Sequence, residues 1–96
     1  MKISAVGMPW YREEDYDELR RLFTDGDKLS PTYERWLEAA TTGEKQMGSQ
    51  GARVVRAEIR PGAFASWCEA HGLEPNAQAR MQYASEVAYR AVGETP

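Results

Sequence analysis

FASWCEAHG, residues 64–72, holds the only cysteine of the chain, Cys68, and its only histidine, His71. A thiolate with an imidazole base beside it is a nucleophile, and the same two residue types ligate zinc. Zinc would need further ligands, and with no other Cys or His only carboxylates remain, which are poor companions for a thiolate. Catalysis needs a third group to orient the imidazole, and none stands at a telling spacing. The spacing itself favours packing. Phe64, Trp67, Cys68 and His71 recur at i, i+3, i+4 and i+7, one face of a helix. Cys68 then reads as a small buried hydrophobe and His71 as the residue closing the last turn, where positive charge suits the helix end. No catalytic residue, metal ligand or cofactor is assigned.

Asp25, Gly26 and Asp27 invite comparison with a calcium loop. The pattern D-x-[DN]-x-[DN]-G-x5-E would require an acid or amide at Leu29, glycine at Ser30 and glutamate at Trp36, so calcium is rejected. An aromatic set, Trp10, Tyr11, Tyr16, Tyr33 and Trp36, crowds the first third of the chain. Such residues build small cores, and they also dominate interface hot spots. Trp10, Tyr11, Tyr33 and Trp36 are the candidate interface anchors, with Trp10 and Tyr11 expected to stand exposed because they precede the first helical stripe.

The elements that position these residues follow from periodicity and punctuation. KISAV, residues 2–6, reads as a weak strand stopped by Gly7 and Pro9. Tyr16, Leu19, Leu22 and Phe23 predict a helix over 13–23, with Asp15 and Glu18 as a capping box. Ser30 as cap and Pro31 at the first helical position predict a second helix to about Gly48 with Tyr33, Trp36, Leu37 and Ala40 inward. RVVRAEI, residues 53–59, is the strong strand. A third helix runs from Pro61 to His71, with Gly72 at its left-handed exit. A fourth runs from about Pro75 or Asn76 to Ala91, with Met81, Ala84, Val87, Ala88 and Ala91 inward. The fold class is α+β, helix-dominated, four helices and two strands, in a single domain 1–96 whose residues 92–96 form a frayed tail. Two strands alone make a marginal sheet, so they must pack under helices or pair with a second copy.

Ninety-six residues carry 12 Lys and Arg against 15 Asp and Glu, a net charge of -3. That balance gives no long-range attraction to phosphate backbones. One nucleic-acid alternative survives, because strand, helix, Gly turn and helix after Arg53 have the order of a ribbon-helix-helix dimer, with Arg56, Glu58 and Arg60 as outward readers. A single cysteine fits a reducing compartment, and no apolar run approaches the roughly 18 residues of a membrane span. The N-terminal apolar stretch is also too short for a signal peptide.

PWY near the start, TYERWL, RVVRAEI, FASWC and the Ala79–Arg80 pair together resemble a group of short bacterial proteins described only as hypothetical, over about Pro9 to Glu86. The resemblance implies a bacterial cytosolic origin and carries no activity, cofactor or catalytic residue. The expected function is therefore that of a small non-enzymatic accessory protein, cytoplasmic, binding another protein or its own copy and no membrane. The alternatives are the DNA-binding ribbon dimer and a cysteine-dependent enzyme using Cys68 and His71.

Overall fold

The computed structural model describes residues 5–93. The order is β1 (Ala5–Trp10), α1 (Glu13–Leu22), a 3-10 turn (Gly26–Lys28), α2 (Tyr33–Ser49), β2 (Arg53–Glu58), α3 (Pro61–Ala70) and α4 (Ala77–Gly93). This is a small α+β domain. Its two strands pair with each other in parallel, Ala5 opposite Arg53 through Trp10 opposite Glu58. A parallel pair needs a long crossover, which α1 and α2 supply.

β1 corrects the expected strand 2–6. It begins at Ala5, runs through Gly7 and Pro9, and residues 2–4 of the expected strand lie outside the described residues. The reason is the hydrogen-bonding side. Ile59 N–H donates to the Trp10 carbonyl at 2.8 Å, so alternation turns the backbone groups of Val6, Met8 and Trp10 toward β2 and those of Ala5, Gly7 and Pro9 outward. The missing N–H of Pro9 therefore falls on the free edge, the place in a sheet where proline is tolerated. Gly7 is required by proximity, because a Cβ there would lie 2.0 Å from the Ala84 carbonyl oxygen on α4. The sheet is thus covered by α4 on the Gly7 face. On the other face, Met8 reaches toward Gly43 of α2, and Trp10 meets Trp36 edge-on at 5.2 Å.

Helix boundaries shift for local reasons. Thr32, not Ser30, caps α2, its Oγ1 accepting the Arg35 N–H at 3.3 Å, and Pro31 lies outside the helix. α2 continues through Thr41, Thr42 and Gly43, and the Thr41 hydroxyl donates back to the Leu37 carbonyl at 2.9 Å. The Asp15–Glu18 capping box is not formed. Arg12 is the N-cap without a side-chain bond, and Asp15 is buried against Arg60. Asn76 caps α4 through Ala79 N–H at 2.9 Å, and the helix includes Val92 and Gly93, which were expected to fray.

The core joins Tyr11, Tyr16, Leu19, Phe23, Ile59, Phe64, Cys68 and Ala79. Phe23 meets Phe64 edge-on at 5.8 Å, bringing α1 onto α3. α4 closes this core with a charge, since buried Arg80 donates to both Asp25 oxygens at 2.8 and 3.0 Å and lies over the Phe23 ring at 4.3 Å.

Candidate functional site

The Cys68–His71 pair is separated by the helix that carries it. Cys68 is 2% exposed, inside the core, and burial pushes its thiol pKa up, away from the reactive thiolate. His71 is exposed at the C-cap, stacked on Trp67 with ring centroids 4.2 Å apart. Its Nδ1 lies 2.8 Å from the Trp67 carbonyl, an acceptor only, so the Nδ1–H tautomer donates there. Gly72 follows at φ 65°, and Leu73 N–H returns to the Cys68 carbonyl at 2.9 Å. The stretch packs and caps. Among the described residues no group of three His, Cys, Asp or Glu comes together to hold a metal.

The aromatic anchors are brought together, but inward. Trp10 and Tyr11, expected exposed, are buried at 8% and 4%, which corrects that expectation. The cause is a layered cover over both rings. The Arg56 guanidinium lies 3.9 Å from the Trp10 centroid, and Trp36 sits on Tyr11 at 4.7 Å. Tyr33 and Trp36 are half-buried against the same core, and the Tyr33 hydroxyl donates to the Tyr11 carbonyl at 3.2 Å. Burial also pushes the Tyr11 phenol up to about 12, against the opposing pull of the nearby Arg80 charge.

The three outward readers of the ribbon alternative are likewise engaged within the chain. Arg56 holds Glu44 of α2 in a two-bond fork at 2.7 and 2.8 Å, which lowers the Glu44 carboxyl pKa. Glu58 pairs with Arg12 at 2.8 Å and Arg60 with Asp15 at 2.6 Å. β2 moreover has a parallel partner in its own chain, whereas a ribbon dimer pairs strands from two chains.

What stands open is elsewhere. Met81, Tyr89 and Val92 are the large hydrophobic residues exposed among the described residues, at 53%, 81% and 42%. All three lie on α4 and line one groove of about 400 Å³, whose opposite wall is Ala5, Val6 and Gly7 at the free edge of β1. β1 carries no charged residue, while β2 has Arg53, Arg56 and Glu58. A sheet edge without charge is a template for pairing. Periodicity places Met81 on the inner face of the helix and Val92 in a frayed tail, and it assigns no role to Tyr89. Met81, Ser85 and Val92 form an exposed row on α4, offset from the buried row of Arg80, Ala84 and Ala88, and Tyr89 lies farther round the helix.

The fold and this groove define the chain's family no further than its sequence does. The chain belongs to the family described as Domain of unknown function (DUF8829). Its model matches residues 4–95, nearly the whole sequence. No curated protein and no solved structure matches. This DUF8829 chain has no helix among its described residues long and apolar enough to cross a membrane. The matched region contains both walls of the groove.

Proposed function

We propose that this DUF8829 chain is a small non-enzymatic accessory protein of the bacterial cytosol that works by binding protein through the groove between the β1 edge and α4. One observation carries the reading: the exposed large hydrophobic side chains converge on a single groove beside an uncharged strand edge. An apolar helix flank next to unpaired backbone donors and acceptors is the surface that strand addition uses, with main-chain bonds for affinity and side-chain contacts for selectivity. Cys68 and His71 point to opposite sides of the surface boundary, which weakens the enzyme alternative. The cytosolic and bacterial parts rest on the lone unpaired cysteine and on the resemblance of the PWY, TYERWL and FASWC motifs.

Replacing Tyr89 by a photoreactive benzoylphenylalanine in bacterial cells tests the reading. Covalent adducts to protein are expected from position 89 and are lost when Met81→Glu and Val92→Glu are added. The same probe at Arg35, on the exposed side of α2, is the control. Adduct formation at 89 no greater than at 35 overturns the proposal.

A further inference from the structure

We draw no further inference here: the strongest candidate, the apolar groove between the free edge of β1 and the exposed flank of α4, belongs to the site already described, and nothing in the structure shows what covers it.

Discussion

The aromatic block and the α4 flank are both apolar, yet one is closed and the other open. Trp10, Tyr11, Tyr16, Phe23, Tyr33 and Trp36 come from three elements, β1, α1 and α2, and the residues that follow the first two, and they cover one another, with arginine on top where a ring would otherwise face water. Met81, Tyr89 and Val92 come from one helix and meet only the edge of a strand. Burial therefore followed from how many elements converge on a residue. Residue type decided less. Rings from one element remain exposed until another element, or another molecule, arrives.

The closed side should break hardest. Phe64 is fully buried at the junction of α1, α3 and α4, and Phe64→Ala is expected to cost about 3–5 kcal/mol in urea unfolding. Because Cys68 labels only when the core opens, the same variant should raise its labelling rate in native buffer by more than about 100-fold. Unchanged labelling would mean that Cys68 is reached by a local route, and would reopen its chemistry.

A smaller loss is expected at the closing charge. Asp25→Asn removes the carboxylate that Arg80 grips, at a cost of about 2 kcal/mol near neutral pH. The two hydrogen bonds from Arg80 hold the Asp25 carboxyl below the ordinary aspartate range. Its contribution is thus fully present above that ordinary range and is lost as pH falls through the lowered folded value. The urea midpoints of native and Asp25→Asn protein should converge below about pH 4. A constant gap across that window would show that the pair does not titrate with folding.

The open side should hardly respond. Met81→Gln in dilute solution is expected to move stability by less than about 0.5 kcal/mol. A loss as large as that of Asp25→Asn would make Met81 a core residue and dissolve the contrast.

Four helices, the strand read over 53–59 and found at Arg53–Glu58, and the exit turn at Gly72 were legible because each follows from spacing within one segment. The position of β1 was not, since Gly7 and Pro9 are strand breakers by type. They are admitted only because α4 presses on one and the free edge receives the other. The burial of Trp10 and Tyr11 is illegible for the same kind of reason: they precede a helix in sequence, but Trp36 and Arg56, 25 residues or more away, cover them. The groove was hidden because Met81 fits either of two neighbouring rows on α4, and only the placement of the sheet selects between them.

By itself the sequence determined the helix-dominated α+β class, the buried stripe through Phe64 and Cys68, and the charge that disfavours phosphate partners. These are local periodicities and sums, and they survive any arrangement of the elements. The tertiary structure alone decided that the strands run parallel within one chain, that Arg56, Glu58 and Arg60 are occupied, and that Met81, Tyr89 and Val92 share a groove with a free strand edge. Those outcomes depend on which elements meet, and contacts between residues far apart in the chain leave no trace in spacing.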